Sequence, residues 1–380
     1  MTAPIFILAG ELSGDQLAAQ LMHGIEAHYG VQQWVGVGDA EMAKIGLDSW
    51  VTMDQLSIIG FGAALKAYPK LSRLMDNIID QIIKTRPKLI ITVDAKGFSL
   101  RLAARLKKRM QTENWYVPII HVVAPTVWAW GEWRKHSVAK AVDALLCLFP
   151  FEPDYFTPLG VQSRFIGHPD AQNEALIPVP VSDVNASNSV VLLPGSRRSE
   201  ISRILPRMLG AAQLLLANRP DLNISLVTVP RMEALVMALM EPHQDLNIEV
   251  TSKRSRFYKD VKNADAILAA SGTVTLQTAL MGAPGIATYV VGPLSAVIGR
   301  HLVNMDNVIL PNAILGREIY PFLFQQAASP MKMAKAVNAI LDNPKAKTVA
   351  RDNAVELRAK LGGTKSFADN IATAFSPYIN

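Results

Sequence analysis

Val190-Val-Leu-Leu-Pro-Gly-Ser-Arg-Arg-Ser-Glu200 and Ile267-Leu-Ala-Ala-Ser-Gly-Thr-Val-Thr-Leu-Gln277 are strand–loop–helix junctions, and their reading decides the fold. In each, a short apolar run ends in small residues that open a helix. A parallel sheet places both loops at the carboxyl edge of its strands, where ligands bind. The first loop presents backbone N–H groups around Gly195 and Ser196, with the Arg197 guanidinium beside them. The second presents Ser271, Gly272 and Thr273 at a helix start, where N–H groups and the positive dipole end suit a phosphate. Either loop alone is equally an ordinary turn with an N-cap. As a pair they suit the diphosphate of a nucleotide-sugar.

Outward from these junctions, short apolar runs alternate with helical patterns along the chain. Ile5–Ala9, Trp34–Val37, Leu89–Val93, Ile119–Val123 and Ala144–Phe149 read as one set of five strands. Val190–Leu193, Ile224–Val229, Asn247–Val250, Ala266–Ala270 and Gly285–Tyr289 read as a second. The rhythm predicts an α/β protein: two Rossmann-like, doubly wound parallel-sheet domains facing across a cleft. The first domain covers residues 1–170. A linker rich in Pro, Ser and Asn covers 171–188, and the second domain 189–362. In the final segment, 363–380, Phe367, Ile371 and Phe375 form one stripe of a helix. That stripe needs burial on the first domain or on a partner subunit.

The chain has 380 residues, half of them hydrophobic and 18% charged. Two domains fit that length. Mean hydropathy is +0.19, yet no apolar run approaches the roughly 18–20 residues that span a bilayer. Met1-Thr-Ala-Pro leads straight into a strand, without a basic, signal-like start. A cytoplasmic protein able to touch a membrane is the expectation. A net charge of +6 suits an anionic ligand or lipid surface. No nucleic-acid recognition motif is present. Cys147 is the only cysteine, which excludes an intrachain disulfide and a cysteine metal cluster. It reads as a small buried hydrophobe. No His and acidic cluster has metal-ligand spacing, so no metal is expected.

Four further places carry candidate chemistry. In Gly10-Glu-Leu-Ser-Gly-Asp15, the glycines permit a tight turn, Ser13 or Asp15 can cap the helix, and Glu11 can project into the cleft. Its spacing is not that of a dinucleotide fingerprint. Asp94 ends the buried run Leu89–Val93, where a carboxylate either caps the helix beginning near Phe98 or accepts a proton in the cleft. Between His121 and His136, Trp128, Trp130 and Trp133 lie beside Arg134 and Lys135. They suit a sugar face, an acyl chain, a membrane interface or domain packing. His168 is a cleft or a hinge residue. The apolar stretch 56–65, followed by Lys66, Lys70 and Arg73, resembles an interfacial anchor or an acyl-chain groove. No Ser-His-Asp order appears, and neither Ser13 nor Ser196 reads as a nucleophile.

These motifs, taken in order, resemble the lipid-A-disaccharide synthase family of GT-B-type glycosyltransferases. The resemblance is carried by Gly10-Glu-Leu-Ser-Gly-Asp15, Leu56-Ser-Ile-Ile-Gly60, Asp94-Ala95, Pro125-Thr-Val-Trp-Ala-Trp130, Leu148-Phe-Pro-Phe-Glu152 and Gly167-His168. It continues through Leu193-Pro-Gly-Ser-Arg197, Ala270-Ser-Gly-Thr273, Leu310-Pro-Asn312 and Gly316-Arg-Glu318. It implies an inverting transferase joining UDP-2,3-diacylglucosamine to 2,3-diacylglucosamine 1-phosphate. The products would be a β(1→6) disaccharide 1-phosphate and UDP, formed without a cofactor at the cytoplasmic face of the inner membrane. A homodimer is compatible with it.

By the same resemblance Asp94 is the general base, taking the proton of the acceptor 6-hydroxyl. Arg197 holds the diphosphate, helped by Ser271, Gly272 and Thr273. Asn312 and Glu318 lie near the nucleotide, Glu11 and Ser13 near the acceptor. The chain departs from the family pattern at three places. Gln277 stands where many nucleotide-sugar transferases of this architecture have a ribose-binding glutamate. Gly97 stands where a second aspartate often follows Asp94, and Asp170-Ala-Gln172 after Gly167-His168-Pro169 is atypical. The competing readings are another UDP-sugar transferase or epimerase of this architecture, and an inactive UDP-sugar- or lipid-binding homologue.

Overall fold

The computed structural model describes residues 3–57, 64–179, 188–292, 308–362 and 365–379. It divides into two compact units: Met1–Pro169 with Leu361–Asn380, and Asp170–Lys360.

The first unit carries seven parallel strands: β1 Ile5–Ala9, β2 Trp34–Val37, β3 Asp48–Ser49, β4 Leu89–Val93, β5 Ile119–Val122, β6 Ala144–Cys147 and β7 Gln162–Phe165. Their order is β3-β2-β1-β4-β5-β6-β7. The five apolar runs form its centre. Both strands beyond the expected five lie at the edges, and they are short or only half-buried. An edge strand needs no continuous apolar run, so neither announces itself by hydropathy.

The central strands are apolar on both faces because both are covered. Ile5, Ile7 and Ala9 pack on one side with helices Leu12–Tyr29 and Phe367–Ile379. Phe6 and Leu8 pack on the other with helices Ala64–Thr85 and Lys96–Thr112. This two-residue alternation follows from the strand pleat. The stripe of Phe367, Ile371 and Phe375 is buried on this unit. Gly24 lets it approach: a Cβ there would sit 3.3 Å from the Ile371 side chain. Cys147 is buried in β6, and burial pushes its thiol pKa up.

The second unit carries β8 Ser189–Leu193, β9 Asn223–Val227, β10 Glu249–Thr251, β11 Ala266–Ala270, β12 Gly285–Tyr289 and β13 Phe322–Phe324. All are parallel, in the order β10-β9-β8-β11-β12-β13. Edge strand β13 is again the one that periodicity does not reveal. Both sheets share the doubly wound order, whose direction reverses at one point: between β1 and β4 in the first unit, and between β8 and β11 in the second. Ligands bind at the carboxyl ends of the strands flanking such a point. No helix among the described residues is long and apolar enough to cross a membrane. Of the apolar stretch 56–65, residues 58–63 lie outside the described residues, as do 180–187 of the linker.

Candidate functional site

In the first unit, the loops after β1 and β4 flank the reversal point. Glu11 is the backbone N-cap of helix Leu12–Tyr29, and no side chain caps that helix. Glu11 and Ser13 are exposed. Asp15 does not cap its own helix, contrary to one expectation. It is buried, and its carboxylate accepts the backbone N–H groups of Asp39 (2.7 Å) and Glu41 (2.9 Å). It therefore ties the loop after β2 to the first helix. A buried carboxylate needs such donors.

Asp94 follows β4 directly. Its φ is +48°, that of Ala95 is +45°, and that of Val123, just past β5, is +77°. Left-handed backbone costs a residue with a Cβ roughly 1–2 kcal/mol, and a β-branched residue more. Three such residues on two adjacent strand ends mark a strained edge, and strain of this kind gathers at functional sites. Ala95 is the N-cap of helix Lys96–Thr112 and no side chain caps it. The capping alternative for Asp94 is therefore excluded. Asp94 is partly exposed, and among the described residues no side chain hydrogen-bonds its carboxylate. Beneath it the Thr92 hydroxyl and His121 Nδ1 meet at 2.8 Å in the core. At Gly97 no atom lies within 4 Å of where a Cβ would be, so packing does not dictate glycine there.

The tryptophan cluster divides. Trp128 is 4% exposed, and its indole N–H donates to Glu152 at 3.2 Å. Its ring meets Phe149 and Phe151 edge-on, and Phe149 stacks on the His168 imidazole at 5.5 Å. Glu152, 1% exposed, also accepts the N–H groups of Leu148 and Phe149. Trp128 is thus a prop for the loop after β6 and has no face to offer a sugar, which corrects the expectation. His168 belongs to the same stack and donates its backbone N–H to Leu361 O. The exposed rings are Trp130, at 45% and covered on one side by the Arg134 guanidinium, and Trp133, at 59%.

In the second unit, the loops after β8 and β11 flank the reversal point. Gly195 has φ +109°, and a Cβ there would lie 2.8 Å from Glu200 Oε2. Arg197 is the N-cap of helix Arg198–Asn218, and the Glu200 side chain, three residues on, reaches back to the Arg197 backbone N–H. Glu200 Oε2 accepts the N–H groups of Ser196 (3.2 Å) and Arg197 (3.3 Å). Those two N–H groups, expected to face a ligand, are occupied. What the loop presents is the Arg197 side chain, 73% exposed and held at 2.8 Å by Glu200 Oε1.

At the second loop, the Ser271 N–H donates to Thr288 O at 2.8 Å, so Ser271 has only its hydroxyl to offer. Gly272, with φ +155°, starts helix Thr273–Leu280 and has no side-chain cap. Gly272 and Thr273 are exposed. The first N–H groups of a helix lack partners within it; the Thr275 N–H here donates to Gly272 O at 3.1 Å, so it is the Thr273 and Val274 N–H groups of this end that can receive an anion. Gln277 Nε2 donates to Asp170 Oδ2 at 3.3 Å. Two of the departures from the family pattern thus meet each other, which places a carboxylate beside the neutral amide.

Asn312, 9% exposed, is consumed internally. Its Oδ1 accepts the N–H groups of Ile319 and Tyr320, and its Nδ2 donates to Tyr320 O. Its side chain pins the loop that bears the exposed Glu318. Neither Glu200 nor Glu152 is singled out as a site residue by the sequence. Glu200 carries a signal, an acid three residues after a helix N-cap; Glu152 ends the motif Leu148-Phe-Pro-Phe-Glu152, which marks the family without giving the residue a role. Among the described residues no group of three or more His, Cys, Asp or Glu could hold a metal.

Comparison with known proteins gives a consistent picture. The family model described as lipid-A-disaccharide synthetase matches residues 5–374. The chain is 34% identical over 369 residues to the lipid-A-disaccharide synthase of Rhodospirillum centenum, covering 94% of this chain and 90% of that one. Among solved structures, a UDP-N-acetylglucosamine 2-epimerase from Listeria monocytogenes, described as putative, superposes with a TM-score of 0.62 at 14% identity, covering 100% of this chain and 97% of that one. Acinetobacter baumannii MurG superposes with a TM-score of 0.58 at 12% identity, over 99% of this chain and 100% of that one. At such identities the structural likeness bears on the fold alone. It agrees with two parallel-sheet domains of the GT-B type.

Proposed function

This chain belongs to the lipid-A-disaccharide synthetase family, and from that premise we propose that it joins UDP-2,3-diacylglucosamine to 2,3-diacylglucosamine 1-phosphate. The product is the β(1→6) disaccharide 1-phosphate, with release of UDP. The observation that carries this reading is Asp94. It is an unbonded carboxylate among the described residues, on a strained turn at the reversal point of its sheet.

In this mechanism Asp94 accepts the proton of the acceptor 6-hydroxyl while that oxygen attacks the anomeric carbon. The anomeric bond to the diphosphate breaks as the new bond forms on the opposite face, so one displacement inverts the centre. Arg197 and the open helix start at Gly272 and Thr273 take up the charge that builds on the departing UDP. Glu11 and Ser13, exposed on the neighbouring loop, contact the acceptor. The exposed Trp133 and the basic surface suit work on acylated substrates at the inner membrane's cytoplasmic face.

The test is turnover in detergent micelles with both acylated substrates, following UDP and disaccharide by mass spectrometry. Equal amounts of the two products, both lost in Asp94→Ala while UDP still binds, support the reading. Product formation undiminished in Asp94→Ala sinks the assignment of the base; no product from the unaltered chain sinks the substrates.

A further inference from the structure

We propose that Glu200 is the positioning residue of the diphosphate site, and that two adjacent residues at the end of β12 brace its loops, Tyr289 holding the first at Glu200 and Thr288 holding the second at Ser271. The proposal rests on Arg197 being the diphosphate contact.

Glu200 is 7% exposed, at the third position of helix Arg198–Asn218. Its carboxylate receives four donors: Ser196 N–H, Arg197 N–H, the Arg197 guanidinium at 2.8 Å and the Tyr289 hydroxyl at 3.2 Å. A carboxylate has about four lone-pair sites, so these bonds fill it. Gly195 fits the same arrangement, because any side chain there would meet Glu200 at 2.8 Å. The loop is thus folded around one carboxylate.

Arg197 gains most from this. It is a long side chain, 73% exposed, and would otherwise sample many rotamers. Glu200 engages one tip of a guanidinium that carries five N–H donors in a rigid fork, a shape suited to gripping an anion as well. Holding the fork in place beforehand lowers the ordering cost of binding. Two adjacent residues of β12 complete the brace. Thr288 O holds the Ser271 N–H of the second loop, and the Tyr289 hydroxyl holds Glu200 of the first.

Glutamine at 200 preserves shape but not pairing. Its NH2 would point at N–H or O–H donors whichever way the amide turned. We compare unaltered protein, Glu200→Gln, Tyr289→Phe, Arg197→Ala and the Arg197→Ala/Glu200→Gln double variant. UDP and uridine affinities are measured by titration, alongside melting temperature. Expected are a loss of about tenfold in UDP affinity for Glu200→Gln and about threefold for Tyr289→Phe, with uridine affinity unchanged. The double variant binds UDP no more weakly than Arg197→Ala, because the effects pass through one side chain. UDP binding as tight or tighter in Glu200→Gln, or losses that add in the double variant, overturns the proposal while Arg197→Ala still weakens UDP. An Arg197→Ala that binds UDP normally overturns the diphosphate reading itself, and this proposal with it. Should Glu200→Gln lose uridine too, its fold is damaged and Tyr289→Phe decides: an unchanged UDP affinity there overturns the proposal.

Discussion

Gly10 and Ala95 lie so close that a Cβ built on Gly10 would fall 2.7 Å from the Ala95 Cβ. The loop after the first strand is pressed against the residue that follows Asp94. Real Cβ atoms do not tolerate that distance, so only a glycine at 10 lets the two loops pack this closely. The turn that bears Glu11 and Ser13 and the turn that bears Asp94 form one packed edge.

Gly10→Ala therefore displaces the Asp94 turn. Overpacking of this kind costs about 1–3 kcal/mol, and a shift near 1 Å at a reacting group costs about 10²-fold in rate. Ala95→Gly removes the opposing Cβ and also relieves the left-handed strain at Ala95, about 1 kcal/mol. Thermal melting and kcat of the two single variants and the double variant check this. The double variant should recover most of what Gly10→Ala loses; an equally impaired double variant would show that the contact does not transmit to Asp94.

Asp94→Asn keeps the turn geometry, since asparagine also tolerates left-handed backbone, but removes the proton acceptor. A fall in kcat of about 10²–10⁴-fold is expected, with UDP affinity within about twofold of the unaltered protein. A fall in UDP affinity that accounts for the lost rate would place Asp94 in binding and not in proton transfer.

Glu152 holds three donors in the core: the Trp128 indole and the N–H groups of Leu148 and Phe149. Glu152→Ala leaves them unsatisfied at about 1–3 kcal/mol each, so chemical denaturation should show a loss of about 3 kcal/mol or more. Trp128→Phe removes one donor and should cost distinctly less. If Trp128→Phe instead left stability intact and weakened sugar binding, the structural role given to Trp128 would be wrong.

The C-terminal helix is fastened by Phe375, fully buried, and by Asp369, which the Ser366 hydroxyl and then His28 hold below the usual carboxylate range. Phe375→Ala should cost about 3–5 kcal/mol. For Asp369 the sign follows from linkage. A carboxyl whose pKa is depressed on folding adds stability above its unfolded pKa, near 3.9, and loses it as pH falls through the lower folded value. Melting temperatures of Asp369→Asn and the unaltered protein should differ at pH 6 and converge below about pH 3. An equal difference at both values would mean that the charge of Asp369 contributes nothing.

Much of this is legible in the chain itself. Ile5–Ala9, Leu89–Val93, Val190–Leu193 and Ala266–Ala270 are apolar on both faces because both faces of a doubly wound sheet are covered. Such runs, alternating with amphipathic helices, admit few other folds. The glycines and small polar residues after those strands mark the reversal-point loops, since a tight turn constrains residue type locally. The motifs also reach the family, because they record many such constraints at once.

Tertiary structure alone decided which polar groups remain for a ligand. Ser196 N–H, Arg197 N–H, Ser271 N–H, the Asn312 amide and the Trp128 indole all look available in sequence, and each is consumed by a partner within its own unit. Burial makes an unpaired polar group costly, and which partner it finds is set by which segments the sheet order brings together. Tyr289 lies 89 positions from Glu200 along the chain, and only the pairing of β8 with β11 and of β11 with β12 places the phenol over the loop. Hydropathy and spacing record what a residue needs from its surroundings; they do not record which distant residue supplies it.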